Sequence, residues 1–150
     1  MQNEPVVISR TFQAPVDRVW EAITDKDQMR KWYFDIKEFA PQVGFTFEFY
    51  AGEEGKQYLH ICKVMEADPG KKLAYTWRFG GIEGLSLVTF ELSPEGEQTT
   101  LKLTHSGLES FPADNPAMAK ENFQQGWEWI IGTSLKEFVE KSDPNAASGI

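Results

Sequence analysis

The sequence predicts an α+β domain in which a curved antiparallel β-sheet wraps around one long C-terminal α-helix, with two short helices after the first strand. Apolar and polar side chains alternate through the middle of the chain, where Gly and Pro turns separate short runs. Helical spacing of apolar residues follows the first strand and returns in the last third of the chain. The C-terminal helix is the one predicted element large enough to cover the apolar face of the sheet.

The N-terminal section predicts one strand and two short helices. Val6–Phe12 is the first strand, and Pro15 suits the first turn of a helix because its missing N–H would have no partner there. Asp25 with Gln28 three residues later resembles a capping box, so a second helix should begin there and direct Met29 inward. The first helix carries an apolar stripe at Val16, Val19, Trp20 and Ile23.

The middle of the chain predicts an antiparallel meander of short strands joined by tight turns. Phe45, Phe47 and Phe49 alternate with polar residues and mark one inward face, whereas both faces of the run 58–65 are mixed, so its inward face stays open. The predicted strands are 45–50, 58–65, 73–79, 85–92 and 99–105.

The C-terminal section predicts a long helix, from Pro116 to about Lys141, with Asn115 as its N-cap. Gly126 and Gly132 each disfavour a helix interior by about 1 kcal/mol relative to Ala, so we expect close packing at Gly126. The apolar stripe comprises Trp127, Ile130, Ile131, Ser134, Leu135 and Phe138.

Length and composition predict a single domain over residues 1–142 and a flexible polar tail over 143–150. The net charge of -8 disfavours binding to nucleic acid or to anionic membrane surfaces. We predict a cytoplasmic protein, because the N-terminus lacks a secretion signal and no apolar run reaches the ~20 residues of a membrane span.

The run 10–25, RTFQAPVDRVWEAITD, resembles the opening signature of the helix-grip (START/Bet v 1-like, SRPBCC) superfamily. Within this superfamily the sequence most resembles the branch of the C-terminal domain of activator of Hsp90 ATPase homologue 1-like proteins. The resemblance implies a helix-grip fold, which hosts lipid carriers, hormone receptors, cyclases and co-chaperone domains. Further matching positions are Trp32, Asp68-Pro69, the run 73–77, Gly126-Trp127 and Leu135.

The aromatic excess predicts a ligand cavity between the sheet and the C-terminal helix, since such pockets are lined mainly by apolar and aromatic groups. Arg78, Tyr58 and His60 would supply polar groups if their faces turn inward. The run Trp32-Tyr33-Phe34 is either the mouth of the cavity or local packing. The predicted lining is Trp32, Phe45, Phe47, Phe49, Tyr58, His60, Tyr75, Trp77, Phe90, Trp127, Ile130 and Ser134.

Metal and catalytic sites are not predicted. His60 and Cys62 share one strand face, but with His105 they would still need Glu48 or Glu91 to complete a zinc site. The chain lacks the HExxH, CxxC and G-x-S-x-G motifs, and we predict no metal and no cofactor.

We therefore expect a monomer or weak homodimer that binds a small, largely hydrophobic molecule without catalysis. One alternative is a co-chaperone-like module that docks on a chaperone or another protein. Another is a cyclase- or hydrolase-like enzyme using His60 or a carboxylate. Convergent polar groups with perturbed pKa values inside the cavity would favour the enzyme.

Overall fold

The computed structural model describes residues 5–53, 56–112, 114–115 and 118–141, and within them it confirms the predicted fold class. The predicted tail 143–150 lies outside the described residues. Six strands form one antiparallel sheet: β1 Val6–Phe12, β2 Thr46–Glu53, β3 Lys56–Asp68, β4 Lys72–Phe79, β5 Ser86–Glu95 and β6 Gln98–Ser106. The helices are α1 Val16–Thr24, α2 Lys26–Trp32, a short 3₁₀ turn Leu108–Ser110, and the C-terminal helix over residues 120–141.

The strand order is β1-β6-β5-β4-β3-β2, so β2 to β6 form the predicted meander and β1 pairs with β6. The chain passes from β1 to the opposite edge of the sheet through α1 and α2. The pairing of β3 with β4 shifts register between Val64 and Glu66, an irregularity of the kind that bends a strand and increases its twist. This shift contributes to the curvature that lets the sheet enclose the C-terminal helix.

The inward face of β3 carries His60, Cys62 and Val64, all buried, whereas Lys63 and Met65 are exposed. This resolves the face that the sequence left open. Arg78 lies on the exposed face of β4, so it does not contribute to the interior, contrary to one expectation.

The C-terminal helix consists of an α-helical segment Lys120–Trp129, a π-helical segment Ile130–Leu135 and a final α-helical segment Lys136–Lys141. Its buried side chains recur every four residues. In an α-helix of about 3.6 residues per turn, a four-residue step exceeds one turn and the buried stripe drifts around the axis. The wider π turn, with i→i+5 hydrogen bonds, offsets that drift and keeps the stripe on the sheet. The buried stripe is Phe123, Trp127, Ile131, Leu135 and Val139.

Three local expectations are wrong. Helix α2 begins after Asp25 as predicted, but the capping box is absent: the Asp25 side chain makes no cap, and Gln28 hydrogen-bonds to Glu21 and Arg18 while the Asp25 backbone N–H donates to the Glu21 carbonyl oxygen. The C-terminal helix begins at Lys120 with Ala119 as its N-cap, rather than at Asn115; Pro116 lies outside the described residues. Gly126 is exposed, and a Cβ atom there would meet no atom within 4 Å, so no close packing explains this glycine.

None of the helices in the described parts of the chain is long and apolar enough to cross a membrane.

Candidate functional site

The interior between the sheet and the C-terminal helix is built from rings in mutual contact. Trp77 on β4 lies at its centre, and its ring is within 6.5 Å (centroid to centroid) of five others: Phe34, Phe49, His60, His105 and Trp127. Period-two alternation directs the strand residues inward, and the four-residue stripe of the C-terminal helix brings Trp127 against them. We call Tyr33, Phe34, Phe47, Phe49, His60, Tyr75, Trp77, Phe90, His105 and Trp127 the aromatic cluster.

Three rings of this cluster form a nearly parallel stack. Phe34 lies 4.5 Å from Phe49 at an interplanar angle of 12°, and Phe49 lies 4.6 Å from His60, also at 12°. Phe49 and His60 are directly opposed on β2 and β3. Phe34, in contrast, is half-buried and comes from the irregular segment that follows α2. Phe34 and His60 are themselves 6.2 Å apart, and of the three rings Phe34 is the one supplied by a loop rather than by the sheet.

Trp77 carries a buried donor without an acceptor. The residue is 4% exposed, and its indole Nε1–H has no hydrogen-bond partner within the described structure. A buried polar group left unpaired costs about 1–3 kcal/mol, so such a group is exceptional in a well-packed interior. The aromatic cluster therefore contains an indole donor whose hydrogen bond is unmet.

His60 is a neutral ring with a defined tautomer. Its Nδ1 lies 2.9 Å from the Tyr58 carbonyl oxygen, which can only accept, so Nδ1 carries the proton and Nε2 offers a lone pair. Burial lowers the pKa of His60 to about 4, although hydrogen bonding to the Tyr58 and Phe49 backbone opposes the shift. At neutral pH this side chain brings no charge to the interior.

His105 lies in a continuous hydrogen-bonded chain that crosses from the C-terminal helix to the sheet. Trp127 Nε1–H, which can only donate, donates to His105 Nδ1 at 2.9 Å. The His105 proton must then sit on Nε2, which donates to Ser86 Oγ at 2.7 Å, and Ser86 donates to the Trp77 carbonyl oxygen at 2.9 Å. Burial lowers the pKa of His105 to about 3, so this ring is also neutral.

This tautomer bears directly on the hydrolase alternative. A serine nucleophile needs an adjacent base with a free lone pair to take its proton. The nitrogen of His105 that faces Ser86 already carries a proton, and the lone pair faces Trp127. Ser86 and His105, though 2.7 Å apart, are therefore not arranged as a nucleophile and its base.

Tyr33 and Tyr75 form a second polar pair in the cluster, with their hydroxyl oxygens 2.7 Å apart. Burial raises the pKa of Tyr75, and burial together with the Tyr75 charge and hydrogen bond raises the pKa of Tyr33. Both phenols stay neutral. Tyr33 also stacks on Trp32 at 4.7 Å, and all three rings of the run 32–34 pack against the core, with Trp32 the most buried of them.

Seven of the predicted lining residues meet in the aromatic cluster: Phe47, Phe49, His60, Tyr75, Trp77, Phe90 and Trp127. The other five lie at its margins. Trp32 donates to the Ala22 carbonyl oxygen, and Ser134 donates to the Trp32 carbonyl oxygen at 2.6 Å, which ties α2 to the π segment. Phe45 and Tyr58 are half-buried near Phe39 and Phe79, and Ile130 is half-buried on the C-terminal helix.

The predicted lining omitted three members of the cluster, Tyr33, Phe34 and His105, and it also omitted Ser86, the hydrogen-bond partner of His105. The first two belong to a run that was recognised as a mouth or as packing. Ser86 and His105 occupy inward positions at period two, together with Val88 on β5 and Leu103 on β6. That alternation is the signal that would have found them.

An open groove of about 550 Å³ runs between the segment after α2 and the edge strand β2. Its lining includes Phe47 and Phe49, which also belong to the aromatic cluster. Asp35, Glu38, Glu48 and Lys37 lie among its lining residues, so three carboxylates and one ammonium group stand beside it. The groove joins the solvent to the edge of the aromatic cluster.

No group of three or more His, Cys, Asp or Glu side chains in the described residues is placed to hold a metal ion. Cys62 is buried on β3, and burial raises the pKa of its thiol far above the ordinary value. A thiol in this state is a weak ligand and a weak nucleophile.

The sheet, the gripped helix and the aromatic interior agree with one sequence family. The profile of "Activator of Hsp90 ATPase homolog 1-like protein" matches residues 13–140. The chain belongs to this family. No curated protein matches the sequence significantly.

Several solved structures of other proteins are similar to this chain and share its fold. Protein MLL2253 of Mesorhizobium loti is 26% identical with a TM-score of 0.78, over 93% of this chain and 99% of that chain. Protein CV1439 of Chromobacterium violaceum is 27% identical with a TM-score of 0.77, over 93% and 99%. DynU16, from the dynemicin biosynthetic locus, is 24% identical with a TM-score of 0.74, over 94% of this chain and 49% of that chain. At this level of identity the similarity shows a shared fold and nothing more.

Proposed function

We propose that this chain is a small-molecule binding domain that holds a flat, largely hydrophobic molecule among the rings of the aromatic cluster, without catalysis. The observation that carries the proposal is the stack of Phe34, Phe49 and His60. Phe34 is half-buried and comes from a loop, and both its stacking partner Phe49 and its chain neighbour Asp35 line the groove beside β2. A planar ligand that stacked on Phe49 would replace the Phe34 ring with a group of the same shape.

The chemistry of the interior supports binding rather than catalysis. Its histidines are neutral and hold fixed hydrogen bonds, and its tyrosines are neutral and paired. Ser86 faces a protonated nitrogen. Aromatic walls with a few placed polar groups are typical of sites that hold small molecules.

The expected affinity is modest for a probe that the protein did not evolve to bind. Burying ~350 Å² of apolar surface on a probe of three aromatic rings, at ~25 cal/mol per Å², contributes roughly 9 kcal/mol before association costs that offset part of it. A micromolar dissociation constant is therefore the tightest to expect.

The test uses N-phenyl-1-naphthylamine, a neutral planar probe whose fluorescence rises in apolar surroundings. We expect saturable one-site binding to the wild-type chain and tighter binding to Phe34→Ala, because the probe no longer has to displace a ring. A space the size of one ring suffices to hold an aromatic molecule, as in engineered cavities of about 150 Å³ that bind benzene.

Phe39→Ala is the matched control. Phe39 belongs to the same segment, but its ring contacts Phe45 and Phe47 at the margin of the cluster. It should leave the probe affinity near the wild-type value. The proposal would be refuted if the probe bound non-saturably to both the wild type and Phe34→Ala while circular dichroism showed that both proteins were folded. Native mass spectrometry of freshly purified protein adds a direct search for a retained molecule.

A second candidate is the chaperone contact that the family name suggests. Trp129 favours it, because this large apolar side chain on the C-terminal helix is 60% exposed. Purified Hsp90 should then hydrolyse ATP at a different rate when the chain is added, and Trp129→Ala should abolish the difference. An unchanged rate with the wild-type chain rejects this candidate.

A further inference from the structure

The aromatic cluster contains a donor that no protein group satisfies, and this feature points to the chemistry of the ligand. Trp77 Nε1–H is buried and unpaired. The two histidines beside Trp77 do not take this hydrogen bond: His105 Nδ1 accepts from Trp127, and His60, whose ring lies 4.9 Å from that of Trp77, makes no hydrogen bond to the indole. The hydrogen bond of this indole is thus available to a molecule that enters the cluster.

The charge of the interior restricts the ligand further. The buried polar residues in the described ranges are His60, Ser86, Thr99 and His105, and the nearly buried Arg18 side chain lies against Phe138, which is not a member of the aromatic cluster. A ligand carboxylate or ammonium group would be buried without a counter-charge, which is strongly unfavourable. The carboxylates of Asp35, Glu38 and Glu48 beside the groove would also repel an anion as it approached.

We infer that the ligand is an uncharged aromatic molecule bearing a carbonyl oxygen, which accepts the hydrogen bond of Trp77 Nε1–H while its ring stacks on Phe49. This inference rests on the proposed function and narrows the ligand to one class. It excludes amphiphiles whose charged head group would lie inside the aromatic cluster, which an apolar cavity alone would admit.

The experiment compares three naphthalenes of nearly equal size by isothermal titration calorimetry. 2-Acetylnaphthalene has the carbonyl oxygen, 2-isopropenylnaphthalene replaces that oxygen with a methylene group, and 2-naphthoate carries a negative charge. We expect the ketone to bind the wild-type chain about tenfold tighter than the alkene, because only the ketone pairs the indole N–H. The carboxylate should bind more weakly than either.

Trp77→Phe removes the indole N–H and keeps an aromatic ring. The ratio of the ketone's affinity to the alkene's affinity should therefore fall to about one. Trp129→Phe is the control, since this exposed tryptophan lies outside the cluster and its replacement should leave the preference unchanged. A second measurement uses only the wild-type chain, so it does not depend on whether a variant folds. In a ¹H–¹⁵N correlation spectrum, the ketone should shift the proton resonance of the Trp77 indole N–H downfield, and the alkene should not.

Each outcome decides a different claim. Saturable binding of ketone and alkene with equal affinity, or an unshifted Trp77 indole resonance, overturns the carbonyl inference while the binding function stands. Tightest binding by the carboxylate overturns the uncharged character of the ligand. Failure of all three compounds to bind saturably rejects the proposed function and this inference with it.

Discussion

Lowering the pH from 7 to 5 should destabilise this protein by about 4 kcal/mol, through two buried neutral histidines. The pKa of His60 lies at about 4 and that of His105 at about 3 in the folded protein, whereas an unfolded histidine has a pKa near 6.5. The unfolded chain therefore binds more protons than the folded chain below pH 6.5, and stability falls as the pH falls. Both folded pKa values lie below pH 5, so each histidine contributes about 1.4 kcal/mol for each of the 1.5 pH units below 6.5, or about 2 kcal/mol.

The assay is urea denaturation at pH 7 and pH 5, with the free energy of unfolding compared between the wild-type chain and glutamine variants. Glutamine suits His105 because its amide has an acceptor for Trp127 and a donor for Ser86. Each of His60→Gln and His105→Gln should remove about half of the loss. The double variant should be nearly flat between the two pH values, since the chain has 2 histidines.

The carboxylates do not interfere with this comparison. Glu140 has a lowered pKa, in spite of some burial, because the Gln13 backbone N–H and Lys136 stabilise its charged form. Its contribution to stability is lost as the pH falls through and below the ordinary range of a glutamate, and it is common to all the variants. A double variant that loses as much stability as the wild type between pH 7 and pH 5 would refute the burial of neutral histidines.

Three further predictions concern single residues. Gly84→Ala should lower the melting temperature far more than Gly81→Ala, because both glycines have positive φ but only at Gly84 would a Cβ lie 2.5 Å from Phe111; equal effects would contradict this crowding. Gly126→Ala should stabilise the protein by up to about 1 kcal/mol, because this exposed helical position meets no neighbour; a loss of stability in thermal denaturation would show a hidden contact. Cys62 should react with a maleimide only after unfolding, because burial raises the pKa of its thiol; rapid labelling of the native chain would contradict its burial.

Sequence periodicity was sufficient for much of the architecture. The strand Val6–Phe12 has the predicted bounds, and helix α1 begins at Val16 with the predicted apolar stripe. These elements are determined locally, because alternation at period two or at 3.6 residues places one face of each element against the core wherever the core lies. The same rule predicted the inward faces of β2 and β4, and with them Phe47, Phe49, Tyr75 and Trp77.

Periodicity did not predict where the C-terminal helix begins or that it contains a π-helical segment. Asn115 has the right chemistry for an N-cap, yet the helix begins at Lys120, since cap propensity amounts to about 1 kcal/mol and packing outweighs it. The π segment Ile130–Leu135 has no sequence signature of its own. The segment keeps the five residues of the buried stripe facing the curved sheet. The shape of the sheet, rather than the local sequence of the helix, therefore determines where the π segment forms.

What the sequence determined by itself was a set of amphipathic elements and the family to which they belong; what the tertiary structure decided was the polar chemistry of their shared interior. Trp127 and His105 are 22 residues apart, and Ser86 is 19 residues from His105. Whether these groups meet, which nitrogen holds a proton, and which donor is left unpaired depend on strand register and on the rotation of the C-terminal helix. A hydrogen bond requires its atoms to be placed within a few tenths of an ångström, whereas hydrophobic burial tolerates any ring that reaches the core.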